Sequence, residues 1–318
     1  MDREESRQVM TGIGTGTYGE LQVAAFLAAY LMRPVTSQEL SGFREALLEL
    51  AVPVTLDDMR TLDVCGTGGD GMNTFNISTL TAFVCAGAGA RVVKHGNAAA
   101  TSAAGSSDIM QHLGYRFSAD SNKLKKELEE AGICYLHAPL FHPALKRVSP
   151  VRKALGVRTF FNILGPMVNP AQPRSQLIGV FNREVQDLYG GVYAGTGTDY
   201  AIVHSLDGYD EISLTAPARV ITNAGETTLT PENLSLPKNT PEEIVGGNHV
   251  KENATLFVNI LRDGGSPAQR HTVLANSTVA LQCFFPGISM EEAYVKAETS
   301  LMSRKAYQAF EKLLNIQS

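Results

Sequence analysis

DVCGTGGDGMNTFNISTLTAF, residues 63–83, joins a short apolar run to a glycine-rich loop and then to a helix-like run. Leu62 to Cys65 has the composition of a strand, and Gly66, Gly68, Gly69 and Gly71 follow it directly. Glycines permit tight turns and close backbone approach, which leaves amide hydrogens free to hold an anion. Asn76, Ser78 and Thr79 fall where the helix begins, and the unpaired N–H groups and dipole of that terminus favour negative charge. A plain glycine turn with an N-cap would use the same residue types. Loop and cap occurring together after a strand favour phosphate binding.

Outward from this stretch, strand-like runs alternate with helical ones. The strands expected are Leu62 to Cys65, Arg91 to Val93, Ile133 to Leu136, Leu177 to Phe181 and Ala201 to His204. Helical patterns over Thr79 to Ala86, Asp108 to Leu113, Asn122 to Ala131 and Arg183 to Ala194 lie between most of them, which predicts parallel strands with crossover helices. Residues 1 to about 60 read as all-helical. Leu21, Ala24, Ala25, Ala28 and Leu31 stand at helical spacing, and a capping box from Thr36 to Glu39 opens the next helix. Phe141 to Pro173 turns helix-like and proline-punctuated and is expected to rejoin the N-terminal helices. A polar, β-rich excursion spans Arg219 to Leu236. Three helices follow, the last over about Ser289 to Leu314 and open to a break.

Composition excludes several classes. The chain has 318 residues, 44% hydrophobic and 19% charged, enough for a large core and unlike a disordered polypeptide. Its net charge of −5 gives no general attraction to nucleic acid or anionic membranes. Cys65, Cys85, Cys134 and Cys283 show neither metal-finger nor redox spacing. No stretch is apolar for the roughly 18 to 20 residues of a membrane span, and MDREESRQVM is no leader, so a soluble, cytoplasmic protein is expected.

Four further stretches bear on chemistry. Gly14, Gly16 and Gly19 spell a dinucleotide fingerprint, but no strand precedes them, so a loop between helices is the better reading. RVVKHGNAAATSAAGSSD places Lys94, His95, Gly96 and Asn97 after a strand, then small residues with the hydroxyls of Thr101, Ser102, Ser106 and Ser107, suited to admitting a ligand. HSLDGYDEISL sets Asp207, Asp210 and Glu211 in a turn beyond a strand, the oxygen-donor type Mg²⁺ takes, although acidic surface turns are common. Lys146, Arg147, Arg152, Lys153 and Arg158 form a basic cluster from which charge alone does not single out a functional member.

Taken in order, GTGGDGMNTFNIST, KHGN with TSAAGSSD, HPALKRVSPVRKALGVRTFFNILGPMVNP and DGYDEIS resemble the anthranilate phosphoribosyltransferase family over nearly the whole chain. The resemblance implies a small helical domain (residues 1–60 with about 150–175) beside a larger α/β domain (61–149 and 176–318) with a mainly parallel sheet. It implies a pentosyl transfer of tryptophan biosynthesis, from phosphoribosyl pyrophosphate to the amine of anthranilate, in a homodimer joined through the helical domain. Gly66, Gly69, Asp70, Thr74, Asn76, Ser78 and Thr79 would surround phosphoribosyl pyrophosphate, with Lys94, Ser102 and Ser106. Ser78, Asp210 and Glu211 would hold two Mg²⁺ ions. Asn97 and Arg152, with Gly66 and His95 beside them, would take anthranilate, and Lys94, Arg152 and Asn97 would carry catalysis. One departure stands out: the family commonly has arginine after KHGN, and Ala98 stands there in this sequence. A pyrimidine nucleoside phosphorylase shares the layout, but NTFNIST and the Asp210–Glu211 pair favour a diphosphate donor. A non-catalytic, nucleic-acid-binding relative is disfavoured by the acidic balance.

Overall fold

The computed structural model describes residues 1–56, 58–99 and 103–316. Five parallel strands, β1 (Leu62–Gly66), β2 (Val92–Gly96), β3 (Ile133–His137), β4 (Ser175–Gly179) and β5 (Asp199–Ser205), form the centre of the sheet. Their crossovers contain α4 (Ile77–Gly87), α5 (Ser106–His112), α6 (Ser121–Glu130) and α9 (Arg183–Tyr193). The polar excursion is a hairpin of β6 (Ala218–Thr222) and β7 (Gly225–Leu229), which adds two antiparallel strands and gives the order β3-β2-β1-β4-β5-β6-β7. From β1 the chain builds outward to β2 and β3, then crosses back to lay β4 on the other side of β1. Parallel sheets bind ligands outside the carboxyl ends of the strands at such a reversal.

Two strand boundaries differ from the apolar pattern. β2 continues through Lys94, His95 and Gly96 because β3 pairs with it from Val92↔Ile133 to Gly96↔His137. Lys94 and His95 therefore lie inside the sheet, not in a loop beyond it. β4 starts and stops two residues earlier than Leu177 to Phe181, its pairing with β1 ending at Gly66↔Gly179. Asp210 lies against Gly66 and Gly179 at these strand ends.

The first helices are α1 (Arg3–Thr15), α2 (Glu20–Ala29) and α3 (Ser37–Glu49), after which no helix occurs before β1 among the described residues. Gly16 ends α1 at φ 84° and Gly19 caps α2, as a loop between helices requires, but Gly14 lies within α1, packed closely against Leu50 and Ala144. The Thr36–Glu39 capping box is present in both directions, at 3.0 and 3.3 Å. The expected face of α2 is wrong: Val23 and Leu27 are buried, while Leu21 is 88% exposed and Leu31 also faces outward. Both sides of this helix are apolar, so spacing could not choose between them, and packing chose the side. Between β3 and β4 come α7 (Ala138–Phe141), α8 (Pro143–Leu155) and 3-10 turns at Phe160–Ile163 and Gly165–Met167, without a strand.

One apolar core joins α1–α3 and the 143–168 region (Met10, Phe43, Val148, Phe160) to α9 and to Ile178 and Ile202 of the sheet. The opposite sheet face is covered by α4, α10 (Val250–Leu261), α11 (Pro267–Phe284), α12 (Met290–Met302) and α13 (Lys305–Asn315). The last two replace one long helix, broken where Arg304 adopts φ 60°.

Candidate active site

Gly66 and Gly179 end β1 and β4 side by side at the point where strand order reverses. A Cβ on Gly66 would stand 2.7 Å from Asp210 Oδ2, and one on Gly179 would meet the Asp210 carbonyl at 1.6 Å. Two missing side chains thus make room for the Asp210–Glu211 turn to lie across the strand ends. The glycine loop is tied to the same turn: Gly68 N donates to Asp210 Oδ2 at 2.7 Å, and Asp210 N to Asp70 Oδ2 at 3.4 Å. Gly68, Gly69 and Gly71 all have φ between 59° and 79°, a region open to glycine and costly for other residues.

Behind the turn, Asn276 of α11 accepts from Ile212 N at 3.0 Å and donates to Ile212 O at 2.9 Å, acting as a strand partner to the residue after Glu211. Ser205 Oγ donates to Glu211 O at 2.7 Å. The carboxylates are consequently held by backbone clamps on both sides.

Burial pushes the carboxyl groups of Asp210 and Glu211 above the usual range, with Asp70 repelling Asp210 and Asp210 repelling Glu211. Lys94, only 1% exposed, opposes this: its Nζ donates to Val64 O at 2.6 Å and lies 3.5 Å from Ser78 Oγ, and its charge favours ionised Asp63 and Glu211. The Ser78 N–H at the start of α4 also favours ionised Glu211. The Lys94 charge therefore acts first on the protein's own carboxylates, through space and not by an ion-pair contact among the described residues. Burial raises Asp63 to about 6 even though His95 N and Asn169 Nδ2 donate to it.

This crowding of acids against one lysine leaves a shortage of positive charge that a divalent cation would relieve. Among the described residues no three His, Cys, Asp or Glu side chains form a cage for a metal. Mg²⁺ seldom needs one, since it keeps waters and shares substrate phosphate oxygens with one or two carboxylates. Asp210, Glu211 and the Ser78 hydroxyl fit it as a donor set.

The opposite wall comes from α8, whose C-terminus is closed by Gly156 at φ 64°. Arg152 lies in its last turn, half-buried, with its guanidinium 5.3 Å from the Phe161 ring centroid. Burial alone lowers its pKa, and no carboxylate among the described residues pairs with it. The small-residue loop after β2 is cinched by Asp108, whose Oδ2 accepts from both Ala99 N and Gly105 N. Asn97 Oδ1 accepts from Ala98 N, and its amide NH₂ has no acceptor among the described residues. His95 is buried edge-on to His142, ring centroids 5.2 Å apart.

A cleft of about 620 Å³ collects most of the residues singled out in the sequence. Gly66, Gly69, Asp70, Thr74, Asn76 and Ser78 line one side, and Lys94, His95, Asn97, Ser106 and Arg152 line the rest with Asp210 and Glu211. Thr79 does not: its side chain is 1% exposed and turned into the core, so only its backbone faces the helix terminus. Ser102 lies outside the described residues. Asp207 accepts from the Thr215 hydroxyl and takes no part in the walls. Sequence reasoning passed over Gly179, Asn276, Asp108 and Asn248, which also lines the cleft. Only Asp108, at the end of a recognised run, carried a local signal. A larger groove of about 900 Å³ lies between α1, α3 and the 195–198 turn, but Glu45 there already holds Arg3, and neither the 66–71 loop nor the Asp210–Glu211 turn lines it.

Residues 1–51 match the helical bundle domain of a glycosyl transferase family, and residues 58–307 match its a/b domain. The chain is 48% identical to an anthranilate phosphoribosyltransferase of Flavobacterium johnsoniae over 98% of its own length and 94% of that protein. The anthranilate phosphoribosyltransferase of Thermus thermophilus superposes with a TM-score of 0.94 at 34% identity, covering 100% of this chain and 96% of that one. The Saccharomyces cerevisiae enzyme in complex with PRPP and Mg gives 0.86 at 29% identity, over 93% of this chain and 85% of that one. Its complex with 4-fluoroanthranilate gives 0.87 at 26%, over 99% and 92%. None of these relatives supports the phosphorylase or nucleic-acid-binding alternatives. With a glycine loop, a carboxylate turn and a half-buried arginine around one cleft, and relatives matching from end to end, this chain belongs to the anthranilate phosphoribosyltransferase family.

Proposed function

We propose that the chain transfers the phosphoribosyl group of phosphoribosyl pyrophosphate to the amine of anthranilate and releases pyrophosphate, the transfer used in tryptophan biosynthesis. The observation that carries this reading is the pairing, across one cleft, of an anion cradle backed by carboxylates with an arginine that has no counterion among the described residues.

In this reading the amides of the 66–71 loop and the start of α4 hold the diphosphate, with Asp70, Thr74, Asn76 and Ser106 around it. Asp210, Glu211 and Ser78 hold Mg²⁺, which we place as two ions. Bound Mg²⁺ supplies positive charge to the diphosphate oxygens as the bond to ribose C1 breaks. Lys94 adds a fixed positive charge from beneath the loop. Arg152 takes the carboxylate of anthranilate in a fork, and Asn97 orients the amine, with His95 and Gly66 at the floor. An aromatic amine is neutral at pH 7, so no strong base has to act before attack. Ala98 leaves this role to loop backbone where relatives of the common pattern have an arginine side chain.

The helical segments, 1–60 with about 150–175, are assigned to assembly and to the Arg152 wall, and the remainder to the diphosphate. Leu21 and Met32, 88% and 87% exposed, support a homodimer through the helical part. No helix among the described residues is long and apolar enough to cross a membrane, four free cysteines fit a reducing cytoplasm, and the net charge of −5 disfavours nucleic-acid and anionic-membrane partners.

Anthranilate fluorescence tests the reading. It should fall only when phosphoribosyl pyrophosphate and Mg²⁺ are both present. A signal that stays constant with all components supplied rejects the assignment.

A further inference from the structure

Arg158 follows α8 by three residues and reaches out of the helical wall to the glycine loop, where its Nη1 donates to Gly69 O at 2.8 Å. The side chain is exposed, has no carboxylate partner among the described residues and does not line the cleft. Its contact is therefore neither an internal ion pair nor part of the walls. The segment that carries it is stiff on both sides: Gly156 ends α8 at φ 64°, and Thr159 N donates to Asn162 Oδ1 at 3.0 Å.

A trans peptide is planar with its C=O and N–H antiparallel. Holding the Gly69 carbonyl toward Arg158 thus turns the Asp70 N–H to the opposite side, away from the guanidinium. That N–H has no acceptor among the described residues, and both Gly69 and Asp70 line the cleft. The peptide belongs to a run of left-handed glycines, Gly68 at φ 59° and Gly69 at 78°, whose backbone can rotate at little cost. An external hold on one carbonyl is what such a loop lacks.

We propose that Arg158 is a positioning residue: a clasp from the Arg152 wall that locks the Gly69–Asp70 peptide with its N–H presented to the diphosphate. The clasp also ties the two substrate walls together, since Arg152 and Arg158 sit on one short segment. This proposal rests on the functional reading above for the identity of the anion.

The test compares wild type, Arg158→Ala and Arg158→Lys. Amide hydrogen exchange of a proteolytic fragment spanning 66–72, in ligand-free protein, should be several-fold faster in Arg158→Ala than in wild type, with the Lys variant between them. Titration calorimetry with inorganic pyrophosphate and Mg²⁺ should show binding weakened about tenfold in Arg158→Ala. The KM for phosphoribosyl pyrophosphate should rise in parallel, more than kcat falls. Weaker pyrophosphate binding with unchanged exchange would mean that Arg158 acts as a bare charge, and the clasp is overturned. Unchanged exchange and unchanged binding overturn it as well. If wild type binds no pyrophosphate, the functional reading fails, while the exchange comparison still decides the clasp.

Discussion

Arg152 sits half-buried over an aromatic ring, and no carboxylate among the described residues meets it, so its burial awaits an anion in the cleft. Its replacement should act on anthranilate and not on the fold. Arg152→Ala is expected to raise the KM for anthranilate by about 10- to 100-fold, as for loss of a charged, forked hydrogen bond, with the KM for phosphoribosyl pyrophosphate changed far less. Steady-state kinetics on both substrates decide this, and an unchanged anthranilate KM would point to another arginine. The acidic turn behaves in the opposite sense, as a strained feature that function requires. Asp210→Asn with Glu211→Gln removes two crowded, buried charges. The double variant should lose turnover by more than about 100-fold while its unfolding temperature holds or rises. Near-normal turnover at saturating Mg²⁺ would remove these residues from the metal site.

At the scale of elements, α6 gives a pH-dependent test well away from the chemistry. Glu127 is fully buried and accepts from the Tyr115 hydroxyl at 2.8 Å, and burial raises its pKa from 4.5 to about 7. Lys123 stands 3.7 Å away and offsets only part of that burial. With the folded-state value above the ordinary one, the folded chain keeps this proton longer than the unfolded chain does. Stability is therefore lost as pH rises from about 4.5 through about 7. Glu127→Gln keeps an acceptor for Tyr115 without the charge, so it should match wild type near pH 5 and exceed it by about 1 to 3 kcal/mol at pH 8. Urea unfolding at the two pH values measures the difference, and equal gaps at both would refute the assignment. Elements also mark where periodicity reads well. The alternation of apolar runs with amphipathic ones placed every parallel strand within three residues, because a strand buried on both faces must be apolar throughout. It misplaced the end of β2, since pairing with β3 carries Lys94 and His95 into the sheet, and no local pattern announces a buried lysine.

For the whole molecule, the outward face of α2 is the feature that an isolated chain leaves unexplained. Leu21, Leu31 and Met32 are all exposed on the helical part. Leu21→Asp with Met32→Asp should convert a dimer into a monomer by light scattering, with little loss of secondary structure. A mass equal to wild type's would move the interface elsewhere. The same helix limits what periodicity can say: with apolar residues on both sides, the inner face is set by what α8 and α3 offer it.

Glycine loop, helix cap, small-residue loop and acidic turn were all legible as separate local signals, because each chemistry needs particular residue types at short spacing. The same local logic yielded the alternation of strand and helix and the parallel sheet. The tertiary structure alone decided which of those signals meet. It placed Gly179 beside Gly66 so that the Asp210 turn could cross both, set Asn276 behind that turn from 64 residues away, turned Thr79 inward, and singled out Arg152 and Arg158 from a basic cluster. Backbone preference and burial patterns act over a few neighbouring residues. The charge balance and shape of a cleft arise from segments brought together across the chain, and only packing determines those distances.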